Sequence, residues 1–179
     1  PASDTALHWA LAEGARREVP VRLVYVFEWA SPAVPVPAGL GWPDQATREE
    51  TVAALGEAIE RARAARPAVE VTGTVVDGLV LPALCELSAR AQLLVLGHRG
   101  LGGFAGLLAG SVAVGAAAHA RCPVVVVRGC AESLQPVAVG VDDSPTGALA
   151  LDFAFEQAAG RGVNLLAVRS WQPPPLLWR

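Results

Sequence analysis

Short apolar runs alternate along the chain with longer segments in which apolar residues recur at helical spacing. Four runs are rich in β-branched residues, which predicts strands: VRLVYVF (21–27), AVEVTGTVV (68–76), QLLVLG (92–97) and CPVVVVR (122–128). Four segments have the periodicity of helices: residues 2–18, 45–65, 80–90 and 110–120. Strands that are apolar throughout and alternate with helices are typical of a parallel sheet covered on both faces. The pattern therefore predicts an α/β fold.

The pattern begins again after residue 136. The segment VAVGVD (137–142) predicts a strand, and a helix that starts at Ser144-Pro145 and a further strand follow it. When Pro145 is placed on Pro1, identical residues coincide in the two segments: Leu7 and Leu151, Ala10 and Ala154, Arg17 and Arg161, Val24 and Val168. Such internal similarity is typical of a repeated unit. The sequence predicts a first repeat at 1–128, a linker at 129–136 and the beginning of a second repeat at 137–179.

The segment GHRGLGGFAGLLAGSV (97–112) joins an apolar strand to a helix and is rich in glycine. Glycine lets a backbone approach a ligand closely, and free N–H groups in the first turn of a helix favour anions. The segment therefore predicts a phosphate-binding loop. Glycines that only permit close packing of a helix on the sheet are the alternative. The segment is not a P-loop, because no lysine precedes Ser111.

The spacing Gly97-x-x-Gly100, nine residues, then Gly110-Ser111 closely resembles the ATP-binding branch of the universal stress protein family. VAVGVDDSP (137–145) resembles the opening strand of that family, LLVLGHRG (93–100) its fourth strand, and GSVAVGAAAHARCPVVVV (110–127) its last helix and edge strand. The resemblance implies a Rossmann-like three-layer sandwich with a five-stranded parallel sheet of order 3-2-1-4-5. It also fits a tandem arrangement, here with part of a second repeat.

The resemblance implies phosphate contacts along the glycine-rich segment. Gly97 and Gly100 would pass close to the ribose and the phosphates. Gly110 and Ser111 would hold the phosphates through N–H groups and a hydroxyl, assisted by the N–H of Val112. The implied cofactor is ATP.

Three further residues complete the implied site. Val26, near the end of its strand, matches the position that contacts adenine. Arg99 is interpreted as an exposed loop residue that can also contact a phosphate. Asp142 matches the acidic residue near the ribose or a phosphate-bound Mg²⁺. The alternative is that Asp142 and Asp143 form only a turn and a helix cap.

In the implied order the first repeat lacks its opening strand, because the chain starts with the helix that should follow it. That strand would lie between the strands of 21–27 and 92–97. Three ways of filling the position stay open: residues that the given chain omits, the strand 137–142 of a second chain, or the same strand of this chain. Pairing of the two flanking strands with each other would contradict the order.

Composition narrows the class of protein. The net charge is -3, and all 14 cationic residues are arginine, which excludes a phosphate-binding or Schiff-base lysine. No basic block predicts a nucleic-acid partner, and no run reaches the roughly 18 apolar residues of a membrane helix. No signal peptide is recognisable, so the expected location is cytoplasmic. Trp9, Trp29 and Trp42 are interpreted as packing residues.

These observations favour a regulatory protein that couples ATP occupancy to a stress or growth state. Two alternatives stay open: a slow ATP hydrolase on the same fold, and a dimeric scaffold that assembles without nucleotide. Apart from His98, which is interpreted as an exposed loop residue, no general base lies in or next to the glycine-rich segment, so no catalysis beyond weak ATP hydrolysis is expected. The run PVVVV (123–127) predicts an unguarded edge strand through which two copies or two repeats pair.

Overall fold

Helices alternate with strands along most of the chain that the structure describes. The computed structural model describes residues 2–29, 44–98, 110–129 and 134–170. Its elements are α1 (Ala2–Arg17), β1 (Val21–Phe27), α2 (Gln45–Ala65), β2 (Val71–Asp77), α3 (Val80–Ser88), β3 (Leu94–Gly97), α4 (Ser111–His119), β4 (Val124–Val127), β5 (Val137–Gly140), α5 (Pro145–Arg161) and β6 (Leu165–Val168). The predicted elements are confirmed within a few residues at each end. None of the described helices is long and apolar enough to cross a membrane.

The described strands form three parallel pairs. The chain divides into two compact units, Pro1–Ala131 and Glu132–Arg179. The first unit contains the pairs β1–β2 and β3–β4, and the second contains β5–β6. Every pair is parallel, with a helix between its two strands in the sequence. The predicted α/β class with parallel strands is therefore confirmed.

The two strand pairs of the first unit do not join edge to edge. Among its described residues, β1 is paired only with β2, and β3 only with β4. The direct pairing of β1 with β3 that would contradict the predicted strand order is not observed. The five-stranded sheet itself stays a prediction, because no described strand of this unit lies between β1 and β3.

Helix α1 connects the two pairs through the core of the first unit. Leu11 of α1 is almost fully buried in one cluster with Ala62 of α2 and Val71 of β2. Trp9, on the same helix, is buried in a second cluster with Val127 of β4. Burial of an aliphatic side chain stabilises a fold by about 1.5–3 kcal/mol. Because α1 contributes to both clusters, it stabilises β1–β2 and β3–β4 as one unit.

Helices α3 and α4 approach each other at a glycine. A Cβ atom added at Gly115 of α4 would lie 2.7 Å from a methyl carbon of Leu81 of α3, so a larger residue there would require the Leu81 side chain to move. The buried hydroxyl of Ser88 then links α3 to the segment after α4, because it accepts a hydrogen bond from the N–H of Arg121 at 2.9 Å. These contacts hold α4 against α3.

The second unit consists of one helix on one parallel strand pair. Val139 of β5 is buried together with Ala154 and Ala158 of α5. The helix ends at Gly162, whose left-handed backbone (φ 63°) suits glycine and directs the chain into β6. This strand–helix–strand unit has the same element order as the opening of a parallel α/β domain.

Candidate functional site

The carboxyl ends of paired strands lie together in the first unit. Phe27 is paired with Asp77 at the end of β1–β2, and Gly97 with Val127 at the end of β3–β4. In open α/β sheets, ligands bind outside the carboxyl ends of the strands. Val26 is the next-to-last residue of β1, and Gly97 is the last of β3. Both predicted site residues therefore lie at the carboxyl ends of parallel strands, and their contact with a ligand stays a prediction.

Hydrogen bonds hold together the two described ends of the glycine-rich segment, where it leaves β3 and where it enters α4. The N–H of Gly110 donates to the carbonyl of His98 at 3.1 Å, and the N–H of His98 donates to the carbonyl of Val127 at 3.1 Å. A ring nitrogen of His98 lies 3.2 Å from the same Val127 oxygen. The N-terminus of α4 is thus fixed beside the ends of β3 and β4. The predicted site residues Arg99 and Gly100 lie outside the described residues.

The first turn of α4 is open to a ligand. Among α2 to α5, three helices have a side-chain oxygen that accepts from a first-turn N–H: Asp44 from Thr47, Glu28 from Val80 and Ser144 from Gly147. Gly110 precedes α4 and has no side chain with which to cap it. Helix geometry leaves the N–H groups of Ser111 and Val112 without a partner inside the helix. Both residues are exposed, and among the described residues no side chain caps this turn.

The two predicted phosphate glycines at the ends of this segment differ in their surroundings. Among the described residues, a Cβ at Gly110 would meet only the carbonyl oxygen of His98, at 3.8 Å, so neither their packing nor the backbone conformation requires glycine there. A Cβ at Gly97 would lie 2.9 Å from the carbonyl oxygen of Ala2 at the start of α1. Close helix–strand packing therefore explains Gly97, whereas Gly110 leaves free space at a helix N-terminus.

A Gly97→Ala substitution should lower the stability of the protein by about 1–3 kcal/mol, the usual effect of overpacking. The added methyl would meet the backbone of α1, which cannot move aside as a flexible side chain would. Thermal or urea unfolding measures the loss. Gly140 is a matched control, because it also ends a strand and has nothing within 4 Å of an added Cβ. Equal stability of the two variants would contradict the packing role of Gly97.

A second group of side chains lies at the ends of β1 and β2. The indole N–H of Trp29 donates to a carboxylate oxygen of Asp77 at 2.9 Å. The guanidinium of Arg48 binds both oxygens of the same carboxylate, at 2.9 and 3.0 Å. These hydrogen bonds, first that of Arg48 and then that of Trp29, lower the pKa of Asp77. The side chain of Asp77 is therefore a carboxylate at neutral pH and holds both partners.

Sequence reasoning missed this group. Trp29 was expected to be a packing residue; its ring does contact that of Phe27, but 44% of its surface is exposed and its N–H is bonded to Asp77, which the sequence did not predict. Trp9 does pack as expected, with 8% exposed, and Trp42 lies outside the described residues. A sequence signal existed, since Trp29 and Asp77 each follow or end a strand at the edge where ligands bind.

Asp142 lies in the second unit, between β5 and α5. Its carboxylate accepts hydrogen bonds from the N–H and the hydroxyl of Ser144, and these bonds lower the pKa of Asp142. The Ser144 hydroxyl in turn caps α5 at Gly147. Asp142 thus lies in the turn before α5 and Ser144 supplies the cap, while the nucleotide role of Asp142 stays a prediction. Among the described residues, no three His, Cys, Asp or Glu side chains form a cluster suited to a metal ion.

The family model and the similar curated proteins indicate the same family. The model of the universal stress protein family matches residues 1–128. The universal stress protein Rv2623 of Mycobacterium tuberculosis is 36% identical over 185 residues, and another universal stress protein of the same organism is 34% identical over 192 residues. Each match covers 96% of this chain and 60% of the relative. The chain thus spans about 60% of the length of these curated relatives.

A solved structure shows the same fold. The universal stress protein UspA from Lactobacillus plantarum matches 72% of this chain and 90% of its own, with a TM-score of 0.58 and 20% sequence identity. Its likeness concerns the arrangement of helices and parallel strands. The family model and the curated relatives go further, and on their evidence the chain belongs to the universal stress protein family.

Proposed function

We propose that the protein binds ATP at the N-terminus of α4 and acts as a nucleotide-responsive regulator of a stress or growth state. The observation that carries this proposal is the uncapped first turn of α4 beside the free space at Gly110. Unpaired N–H donors and the positive end of a helix dipole favour a phosphate at such a position. The glycine spacing and the family membership support the same site.

The phosphates would be held mainly by backbone groups. The N–H groups of Ser111 and Val112 point to the ligand side of the first turn, and the Ser111 hydroxyl adds a further donor. The segment before them supplies Gly97, Gly100 and Arg99, whose guanidinium suits a phosphate oxygen pair. This donor set contains no lysine, consistent with a sequence whose cations are all arginine. Backbone N–H groups and an arginine side chain can together bind the phosphates without a lysine.

The base would lie toward β1. We propose that the sheet of the first repeat has the order 3-2-1-4-5 of its family, with one further strand between β1 and β3. Adjacent strands are about 4.8 Å apart, so β1 and β3 would then be separated by roughly 10 Å. That separation leaves room for a ribose between phosphates at α4 and a base at Val26. The similarity of the segments that begin at Pro1 and Pro145 supports a tandem protein with a second repeat from residue 137.

Asp142 is proposed as the acidic residue at the end of strand one of the second repeat. Mg²⁺ is commonly bound through one or two carboxylates together with the phosphates of a nucleotide. Asp142 offers one carboxylate, which already accepts hydrogen bonds from Ser144. One carboxylate suits a Mg²⁺ ion that is also bound by phosphates better than a Mg²⁺ ion that is bound by protein groups alone. Mg²⁺ would there neutralise phosphate charge, while Asp142 also orders the start of α5.

Two copies are proposed to associate through β4. Among the described residues β4 pairs on one side only, with β3, and it consists of four valines. An apolar edge strand without charged residues tends to pair with another strand, and a two-fold axis is the simplest closed arrangement. In the tandem protein, the corresponding edges of two repeats offer the same contact.

Isothermal titration of the purified protein with ATP tests the proposed function. Binding of one adenine nucleotide per glycine-rich segment, together with nucleotide released on denaturation of the purified protein, is the expected result. A protein that carries no nucleotide and takes up neither ATP nor ADP would contradict the proposal and favour a scaffold.

A further inference from the structure

Trp29 presents an aromatic ring that is both exposed and fixed. Its ring centroid lies 5.0 Å from that of Phe27, with an interplanar angle of 72°, so Phe27 meets it edge to face. Its N–H is bonded to Asp77, and Arg48 holds Asp77 through both carboxylate oxygens. Even so, 44% of Trp29 is exposed, whereas Phe27 is 4% exposed. Phe27 and Asp77 thus hold the indole directly, and Arg48 holds it through Asp77, while part of the ring surface remains exposed.

We propose that Trp29 is the platform on which the base of the bound nucleotide stacks. This inference rests on the proposed function and extends it to the base end of the same site. Trp29 follows β1 by two residues and lies at the carboxyl end of the β1–β2 pair, three residues after Val26 in the sequence. A flat aromatic surface at that edge offers dispersion contacts to a purine, which Val26 alone cannot supply.

The fixed orientation is what makes the indole suitable for this role. Ordering an exposed side chain during binding costs about 0.5–1.5 kcal/mol. Here the hydrogen bond to Asp77 and the contact with Phe27 restrict the ring before any ligand arrives. Asp77 and Arg48 are therefore positioning residues, which act on the base through Trp29. Stacking on an aromatic ring tolerates every base, so this platform contributes affinity for a nucleobase rather than a choice among bases.

The test compares ATP with inorganic triphosphate, which has the phosphates but no base. Titrations of the full chain should show that Trp29→Ala weakens ATP binding about 5- to 100-fold, as expected for loss of one stacked aromatic. Trp29→Phe, which keeps an aromatic face, should retain most of the affinity. Triphosphate affinity should be the same in all three proteins. Tyr25→Ala is the matched control, because Tyr25 lies on β1 and is 45% exposed.

The outcomes distinguish failure of ATP binding itself from failure of the stacking role of Trp29. If the parent protein binds neither ATP nor triphosphate, the proposed function fails and the inference fails with it. If the parent binds ATP and Trp29→Ala binds it within twofold, only the stacking role is overturned. Equal weakening of ATP and triphosphate by Trp29→Ala would also overturn it, because that result indicates general damage to the site.

The positioning role has its own readout. Asp77→Ala should weaken ATP binding without affecting triphosphate, because it frees the indole but leaves the α4 donors intact. Asp77→Asn keeps an oxygen that accepts from the indole N–H and should restore most of the ATP affinity. Failure of Asp77→Asn to restore binding, with both variants folded by circular dichroism, would overturn the positioning role of the carboxylate oxygen.

Discussion

A Gly110→Glu substitution should abolish ATP binding, with a loss of more than about 100-fold in affinity. The new carboxylate would enter the free space next to the first turn of α4 and accept from the N–H groups of Ser111 and Val112, which the phosphates would otherwise use. It would also repel the ligand, since two like charges 4 Å apart near a protein surface interact by about 4 kcal/mol. Isothermal titration calorimetry with ATP measures the loss.

The fold should survive this substitution. The backbone of Gly110 has φ -72° and ψ 162°, which any residue adopts, and an added Cβ would have only the His98 oxygen within 4 Å, at 3.8 Å. An acidic side chain near a helix N-terminus also interacts favourably with the helix dipole. Unfolding of Gly110→Glu should therefore occur at a temperature close to that of the parent. A folded variant that binds ATP as the parent does would show that the phosphates lie elsewhere.

Gly56→Glu is the matched control for charge. Gly56 is an exposed residue of α2, and an added Cβ has nothing within 4 Å. The variant carries the same extra negative charge, but at a distance from the N-terminus of α4. ATP affinity should stay within about twofold of the parent. Comparable losses in both variants would point to the net charge of the protein rather than to the site.

Most helices and strands could be predicted from the sequence, because helix caps and apolar periodicity are local patterns. Asp44 before α2 and Ser144-Pro145 before α5 are standard helix starts, and both act as caps in the structure. The continuous valines of β4 likewise predicted a strand. Such signals depend on a few neighbouring residues, so one sequence contains all the information that they require.

The reason for each glycine could not be predicted in the same way. Gly97 and Gly110 belong to one motif, yet one is explained by the backbone of α1 and the other borders free space. That difference arises from a helix ninety residues earlier in the sequence, which no local pattern describes. Arg48, Asp77 and Trp29 were missed for the same reason, because they come together only when β1, β2 and α2 pack. The proposed phosphate end of the site rests on a local pattern, whereas the proposed base end depends on tertiary contacts.

Assembly through β4 must be tested without disturbing the core. A lysine substitution at Val125 or Val127 is a natural way to guard an edge strand, but Val127 is buried with Trp9, and Val125 packs on the same cluster. A charge placed there lacks a partner and would destabilise the first unit by several kcal/mol. Loss of dimer in such variants would therefore report unfolding rather than a broken edge contact.

The backbone phase of β4 identifies a better position. The carbonyls of Pro123 and Val127 both accept from β3, at the N–H groups of Leu94 and His98. Because hydrogen bonding along a strand alternates between its two sides, the peptide groups of Val124 and Val126 face the outer edge. An outer N–H is not needed by β3 but is needed by a strand added to the sheet.

Val126→Pro should weaken dimerisation by about 100-fold or more while the first unit stays folded. Proline removes the outward N–H donor without removing a ladder bond to β3, and edge strands tolerate it. A two-fold contact loses the donor twice, and each acceptor left buried without a partner costs about 1–3 kcal/mol. Val126→Thr keeps both the N–H and the branched shape, so it should dimerise as the parent does. Sedimentation equilibrium measures both variants, and a Val126→Pro protein that keeps the parent's dimer affinity would exclude pairing through the β4 edge.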